Sequence, residues 1–231
     1  MEQIKVLAFD TGGTVLDWHT GLTTAMTAWG AAHGIERDWH VLANEHRRRS
    51  LRRMTNTVDP AFNIDDVHCD VVGEVFDENQ LGGSAEERRA IAGCWHQLAA
   101  WPDFAAALRR LRRQRICVSF TILSLSLIVD VSRHNGLDWD AVIPCEMLRV
   151  YKPRPDAYRR AATFLAVEPH EILMVACHNF DLDAARGVGY RTAFVRRPNE
   201  WGPAGPPDPI PNPATDIIVD GFAELANHFG A

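Results

Sequence analysis

The residues with the clearest chemical potential lie near the amino terminus, where an acid follows a short apolar run. Residues 5–9 are typical of a buried strand in a parallel sheet, and Asp10 follows them directly. Gly12 and Gly13 allow a sharp turn that brings backbone N–H groups close to whatever the acid contacts. An Asp at the end of a central strand lies where open α/β sheets bind ligands, and it can act as a covalent nucleophile. The same residues are also compatible with an Asx turn or a helix N-cap.

Five more polar side chains come at or just beyond the predicted carboxyl ends of strands: Thr14, Ser124, Lys152, His178 and Asp181. Each has an ordinary structural interpretation, because hydroxyls and acids often cap helices and because lysine and histidine are common in loops. The carboxyl ends of parallel strands, however, meet at one edge of a sheet. We therefore expect these five residues and Asp10 to share one pocket.

The pattern of strands and helices predicts an α/β fold with a Rossmann-like, doubly wound parallel sheet. After the opening strand, β-rich apolar runs occur at 116–122, 141–143, 171–176, 192–195 and 217–219. Helical spacing is found at 104–113, 127–135 and 222–229, and a turn at 151–155 opens a further helix. The tract 198–213 is rich in Pro and Gly, which predicts an irregular loop.

Between the first and second strands the chain has a helical pattern only, at 21–34, 39–54, 64–76 and 85–99. We interpret this stretch as an all-helical cap inserted into the core. The predicted boundaries are 1–18 and 100–231 for the core domain and 19–99 for the cap domain. The second of these helices carries arginines at 47, 48, 49, 52 and 53. Such a run usually forms a solvated face, although one arginine could point inward and bind an anionic substrate.

Composition limits the classes of partner. The 231-residue chain has a net charge of -6, which does not favour binding to nucleic acid or acidic lipid. No membrane-spanning stretch and no signal-peptide pattern is evident, so a cytoplasmic protein with no membrane partner is expected. The five scattered cysteines predict reduced thiols. An apolar face around Trp29 and Trp39 would suit a homodimer.

The motifs resemble those of a known family. Asp10-Thr11-Gly12-Gly13-Thr14, the strand-end Ser124, the run 152–158 (Lys-Pro-Arg-Pro-Asp-Ala-Tyr) and the run 178–181 (His-Asn-Phe-Asp) resemble the four motifs of the haloacid dehalogenase superfamily. Within it, the chain is most similar to type II 2-haloacid dehalogenases, including a branch with a His-Asn-x-Asp fourth motif. Trp-Pro-Asp at 101–103 and the run 196–203 are similar to the same branch.

The resemblance implies a Rossmann-like core with a helical cap and a metal-independent, cofactor-free hydrolysis of a small 2-haloacid. Asp10 would displace halide and form an ester, which water then hydrolyses at the Asp10 carbonyl. Lys152 would hold Asp10, Asp181 with His178 would act on the water, and Thr14 and Ser124 would donate hydrogen bonds. The implied substrate-binding residues are Arg47 (with Arg48 and Arg49 as competitors), Thr11, Gly12, Leu125, Tyr158 and Asn179.

Gly12 distinguishes between two chemistries of the superfamily. Its phosphatases carry an Asp at this position, which protonates the leaving oxygen, whereas a halide needs no proton. The chain also departs from the dehalogenase pattern, because Gly12 and His46 replace aromatic residues and Leu125 replaces an Asn that faces the halide. Two alternatives therefore stay open. One is a Mg²⁺-dependent phosphatase with an acid from elsewhere, and the other is a catalytically silent binding protein.

Overall fold

A six-stranded parallel sheet lies at the centre of the computed structural model, which describes residues 3–56 and 63–231. Its strand order is β3-β2-β1-β4-β5-β6. The strands are β1 (Val6–Phe9), β2 (Ile116–Thr121), β3 (Ala141–Pro144), β4 (Ile172–Ala176), β5 (Arg191–Val195) and β6 (Ile217–Val219). The predicted doubly wound parallel sheet is thus confirmed. The order reverses at β1, so the carboxyl end of β1 lies where such sheets bind ligands.

Ten α-helices flank the sheet in the described residues. They are α1 (Trp18–His33), α2 (Trp39–Asn56), α3 (Ile64–Glu78), α4 (Ala85–Ala92), α5 (Phe104–Leu111), α6 (Leu125–Asn135), α7 (Cys145–Leu148), α8 (Pro155–Leu165), α9 (Asn179–Gly187) and α10 (Phe222–His228). Short 3-10 segments occupy Gly93–Gln97 and Pro169–Glu171. Helix α7 has no counterpart among the sequence predictions.

Helices α1 to α4 lie between β1 and β2, as the predicted insertion requires. The chain leaves and re-enters the core at neighbouring points, because the Asp17 N–H donates to the Ala99 carbonyl at 2.9 Å and the Trp101 N–H donates to the Val15 carbonyl at 2.8 Å. The helix predicted at 85–99 ends earlier, at Ala92. The chain tightens there into the 3-10 segment and then extends so that Ala100 can pair with Leu16.

The core is built around the fully buried strands β1 and β4. Phe9 packs edge-on against Phe104 of α5, with ring centroids 5.5 Å apart. All five cysteines are free, as expected. Trp29 and Trp39 are buried and pack against each other, so they do not form the exposed apolar face on which the predicted homodimer depended. Among the described residues, no helix combines the length and the apolar character needed to cross a membrane.

Candidate active site

Asp10 lies directly after β1 and is 6% exposed. The Thr14 hydroxyl donates to its Oδ2 atom at 2.7 Å. His178 Nδ1 contacts the same oxygen at 3.2 Å, and Lys152 Nζ lies 3.4 Å from Oδ1. Gly13, with φ at 93°, makes the turn that folds Thr14 back over the carboxylate. The structure therefore brings together four of the residues singled out at predicted strand ends.

Lys152 joins Asp10 to the second predicted acid. Its Nζ atom is buried, donates to Asp181 Oδ2 at 2.7 Å and lies 4.4 Å from the centre of the Phe120 ring. The other oxygen of Asp181 accepts a 2.6 Å hydrogen bond from the Tyr158 hydroxyl. Tyr158, which the resemblance placed among the substrate-binding residues, is fully buried and contacts Asp181. Both oxygens of Asp181 are engaged.

The two carboxyl groups have opposite pKa shifts. Burial opposes ionisation of Asp10, but the charge of Lys152 and the hydrogen bond with His178 outweigh it and hold the pKa of Asp10 below its usual value. Burial raises the pKa of Asp181, and the attraction of Lys152 only partly offsets this. Burial also disfavours the charge of Lys152, yet Asp181 and Asp10 raise the Lys152 pKa. Asp10 is consequently the carboxylate that stays ionised to lower pH.

Glu200 completes this cluster and was not singled out in the sequence. It is 3% exposed and accepts from Trp18 Nε1 at 3.1 Å. His178 Nε2 lies 2.9 Å from Glu200 Oε1. Burial disfavours the charge of His178, but Cys177, Glu200 and Asp10 raise its pKa well above the usual value. The run 196–203 was noted for its family resemblance, and that resemblance was the available signal for Glu200.

Arg47 is the arginine that turns inward. It is 2% exposed, and its guanidinium carbon lies 5.5 Å from the ring centres of both Trp18 and Trp95. Nη2 donates to the Gly12 carbonyl at 3.2 Å, while Nε and Nη1 are buried without a hydrogen-bond partner. Arg48 lies over the Trp201 ring, and Arg49 pairs with Glu45 and Glu78. The rotation of α2 therefore selects Arg47 from its neighbours.

A small cavity lies between Asp10, Lys152 and Asp181 on one side and Arg47 on the other. Its volume is ≈ 10 Å³, which is room for about one water molecule. Gly12 and His178 line it, together with four residues that the sequence did not identify: Leu51, Thr55, Ile122 and Phe180. Three of these, Leu51, Thr55 and Phe180, also line an outer cavity of ≈ 560 Å³ that carries Arg48 and Arg52. The two cavities therefore adjoin each other.

Four predicted site residues make their contacts elsewhere. The Ser124 hydroxyl caps α6 and donates to Asp65 at 2.8 Å, so its one proton is directed to a helix of the insertion and not to Asp10. Leu125 is 39% exposed because it begins that helix on its outer side. The Thr11 hydroxyl pairs with Ser119 at 2.8 Å. Asn179 hydrogen-bonds the Ile210 carbonyl and the Asn212 N–H, and thereby holds the predicted irregular loop.

Two of the noted sequence runs support the turn that carries Asp10. Trp101 Nε1 donates to the Gly13 carbonyl at 2.8 Å, and Arg197 Nε donates to the Thr14 carbonyl at 3.0 Å. Asp103, predicted at a helix start, makes no side-chain cap and instead accepts from Arg197. The aromatic and charged residues of these runs therefore fix the backbone that follows Asp10.

Cys177, His178 and Glu200 form a close group of metal-type donors, with ligand atoms within 4.8 Å of one another. His178 Nε2 and Glu200 Oε1 are only 2.9 Å apart, however. Two ligands of one tetrahedral zinc would be about 3.3 Å apart, given bonds of about 2.0–2.1 Å. The shorter distance is that of a direct hydrogen bond, so a proton fits between these two atoms better than an ion does.

The fold and site define an α/β enzyme with a strand-end carboxylate beneath an inserted set of helices. Residues 4–189 match the family of haloacid dehalogenase-like hydrolases, and the chain belongs to this family. The resemblance noted in the sequence is thereby confirmed.

Named relatives agree with this family. The chain is 27% identical over 203 residues to (S)-2-haloacid dehalogenase H-109 of Pseudomonas putida. The matched region covers 85% of this chain and 88% of that protein. The crystal structure of the defluorinating L-2-haloacid dehalogenase Rha0230 superposes with a TM-score of 0.91 at 32% identity, covering 99% of this chain and 96% of the other. The L-2-haloacid dehalogenase PA0810 gives a TM-score of 0.90 at 29% identity, covering 98% and 99%.

Proposed function

We propose that this chain hydrolyses a small 2-haloacid to the 2-hydroxy acid without a metal ion or other cofactor, through an ester on Asp10. The observation that carries the proposal is the pairing of Asp10 with Arg47 across the small cavity. Asp10 is ionised, and Arg47 Nε and Nη1 are buried donors without partners. Unsatisfied buried donors bind anions strongly, and a 2-haloacid supplies both a carboxylate and a halogen.

In the first step, Asp10 attacks the carbon that bears the halogen, a C–O bond forms, and the halide leaves with the bonding electron pair. Lys152 holds the carboxylate in position, and Arg47 binds the substrate carboxylate or the departing halide. The leaving group needs no proton, so the absence of an acid at Gly12 is no obstacle.

In the second step, water attacks the Asp10 carbonyl carbon and releases the hydroxy acid. Asp181 takes a proton from the water and returns it to the leaving oxygen. The raised pKa of Asp181 suits it to this exchange, and Lys152 and Tyr158 keep it in place.

The Mg²⁺-dependent phosphatase is less well supported. A magnesium ion in this family's phosphatases is held by the nucleophile and by acids of the fourth motif. Here the positive charge between the two acids is that of Lys152, whose Nζ atom donates to Asp181 Oδ2 at 2.7 Å and lies 3.4 Å from Asp10 Oδ1. Position 12 also lacks the general acid that a phosphate ester requires.

The experiment is halide release from chloroacetate, 2-chloropropionate and fluoroacetate by the EDTA-treated protein. We expect halide from at least one of them, and none from the Asp10→Asn variant. After a single turnover in ¹⁸O-water, the peptide that contains Asp10 should gain mass. No halide from any substrate, together with EDTA-sensitive hydrolysis of p-nitrophenyl phosphate, would favour the phosphatase. Inactivity in both assays would favour the silent binding protein.

A further inference from the structure

The two oxygens of Asp10 are held unequally. Oδ2 receives the Thr14 hydroxyl at 2.7 Å and faces His178 Nδ1 at 3.2 Å, whereas the contact of Oδ1 with Lys152 is longer, at 3.4 Å. The Cys177 N–H donates to Thr14 Oγ1 at 3.1 Å, which leaves the Thr14 proton free to point at Asp10. Oδ1 is therefore the freer oxygen for attack on carbon. In the resulting ester, Oδ2 becomes the carbonyl oxygen.

His178 lies between two carboxylates. Nδ1 faces Asp10 Oδ2, and Nε2 faces Glu200 Oε1 at 2.9 Å. Both ring nitrogens thus have an acidic oxygen as acceptor, an arrangement that favours the doubly protonated imidazolium. The Phe180 ring stacks on the imidazole, with centroids 5.4 Å apart and planes 26° apart. Cys177 Sγ, at 3.4 Å from Nε2, is the remaining titratable contact of the ring.

Glu200 is itself held rigidly. It is almost fully buried, accepts from Trp18 Nε1, and has Cys177 Sγ at 3.6 Å from its other oxygen. When Asp10 becomes an ester it loses its charge, and Glu200 is then the carboxylate that still faces His178. The charge on the imidazole in the ester state therefore depends on Glu200.

We propose that Glu200 is a positioning residue that keeps His178 protonated in the ester state, so that His178 Nδ1–H and the Thr14 hydroxyl form an oxyanion hole for ester hydrolysis. This inference rests on the proposed function. His178 then acts as a charged hydrogen-bond donor, and Asp181 removes the proton from water. Buried, fixed donors aimed at a developing oxyanion commonly contribute about 10²–10³-fold in rate.

The step balances without any further reactant. The water oxygen bonds to Asp10 Cγ, its proton passes to Asp181, and the carbonyl electron pair moves onto Oδ2 between Thr14 and His178. When the tetrahedral intermediate collapses, the bond between Cγ and Oδ1, the oxygen that carries the substrate carbon, breaks, and the electron pair on Oδ2 re-forms the carbonyl bond. The hydroxy acid therefore leaves with Oδ1, and the water oxygen remains in the Asp10 carboxylate. The proton on Asp181 goes to the leaving oxygen, and the new carboxyl loses its proton to solvent.

The test is Glu200→Gln, which keeps an acceptor for His178 Nε2 and for Trp18 but removes the charge. We expect halide release in the first turnover to remain fast and the steady-state rate to fall about 10²-fold, which produces a burst of about one halide per site. The alkaline limb of the pH profile of kcat should move to lower pH by at least about one unit, because His178 loses its proton at a lower pH once the charge of Glu200 is removed. The matched control is Glu36→Gln, an exposed change, which should alter neither quantity.

Wild-type protein provides a second measurement that needs no variant. As pH rises through the His178 pKa, hydrolysis should slow before alkylation does, so a halide burst should emerge. The inference is overturned if Glu200→Gln shows no burst and an unmoved alkaline limb, or if the wild type has no burst at any alkaline pH. A rate that instead rises as His178 loses its proton would make His178 a general base. Absence of all halide release from the wild type would defeat the proposed function itself, which is a different result.

Discussion

Arg47 Nη2 donates a 3.2 Å hydrogen bond to the Gly12 carbonyl oxygen, across 35 positions of sequence. This contact connects helix α2 of the insertion with the turn that carries Asp10. It leaves two nitrogen atoms of the guanidinium, Nε and Nη1, buried without a hydrogen-bond partner. In the proposed reaction, the position of the insertion and the binding of the haloacid are thus linked through one side chain.

Replacing Arg47 tests that link. In Arg47→Gln, we expect kcat/KM for the haloacid to fall about 10²-fold, because an interaction with a charged group worth about 2–3 kcal/mol is lost. The measurement is steady-state halide release. Arg49→Gln is the matched control, since Arg49 lies two positions away and pairs with Glu45 and Glu78. That change should leave kcat/KM unaltered and cost at most about 1 kcal/mol of stability. Equal losses in the two variants would contradict the assignment of Arg47.

Gly13 should tolerate no side chain. Its φ is 93°, and an added Cβ would lie 2.1 Å from Glu200 Oε1 and 3.2 Å from His178 Cε1. In Gly13→Ala we expect a loss of about 1–3 kcal/mol in the free energy of unfolding from backbone strain and overlap, with a lower kcat from displacement of Glu200.

Gly34→Ala separates strain from overlap. Gly34 ends α1 with φ at 64°, and its added Cβ would have no neighbour within 4 Å. This variant should lose about 1–2 kcal/mol of stability and keep its kcat. Urea unfolding and halide release would be measured for both variants. A normal kcat in Gly13→Ala would mean that Glu200 can move without consequence.

The stability of the protein should fall between neutral and acid pH. Burial lowers the pKa of His46 to about 4 and the pKa of His68 well below its usual value. In the unfolded chain both titrate near about 6.5, so below that pH the unfolded state binds more protons than the folded state. The contribution of these two histidines to the free energy of unfolding is thus complete above about pH 6.5 and declines toward pH 4, with His46 accounting for about 3 kcal/mol.

Urea midpoints at pH 7.5, 6 and 5 measure this slope. His46→Gln should flatten this slope, because glutamine does not titrate. Its amide can still donate to the His68 carbonyl, which lies 3.3 Å from His46 Nε2. His134→Gln, a change at an exposed position, should leave the slope as it is. A slope that is the same in His46→Gln and the wild type would exclude His46 as its source.

The outer cavity should attract anions. Arg48 and Arg52 line it, and both side chains are exposed. For Arg52→Gln we expect kcat/KM to fall about 2–5-fold at low ionic strength and to approach the wild-type value in about 1 M salt, where screening acts within about 3 Å. Halide release across a salt series is the measurement. A loss that persists at high salt would indicate direct contact with the substrate.

Much of the fold could be predicted because it depends on local pattern. Apolar runs marked the strands, and helical spacing marked the insertion, each to within a few residues. The exception was the segment 85–99, where helical composition continued past Ala92 but pairing of Ala100 with Leu16 extended the chain. Contacts between distant segments override local preference at such ends.

The sequence by itself predicted that six strand-end residues would meet, because parallel strands bring their carboxyl ends to one edge of the sheet. All but Ser124 do so, namely Asp10, Thr14, Lys152, His178 and Asp181. Only the tertiary structure decided the rest. The rotation of α2 chose Arg47 among its neighbours, and the loop after β5 brought Glu200 back to His178. Packing between distant segments also directed the Ser124 hydroxyl to Asp65. The partner of a buried polar group is set by which distant segments pack together, and residue spacing does not encode that choice.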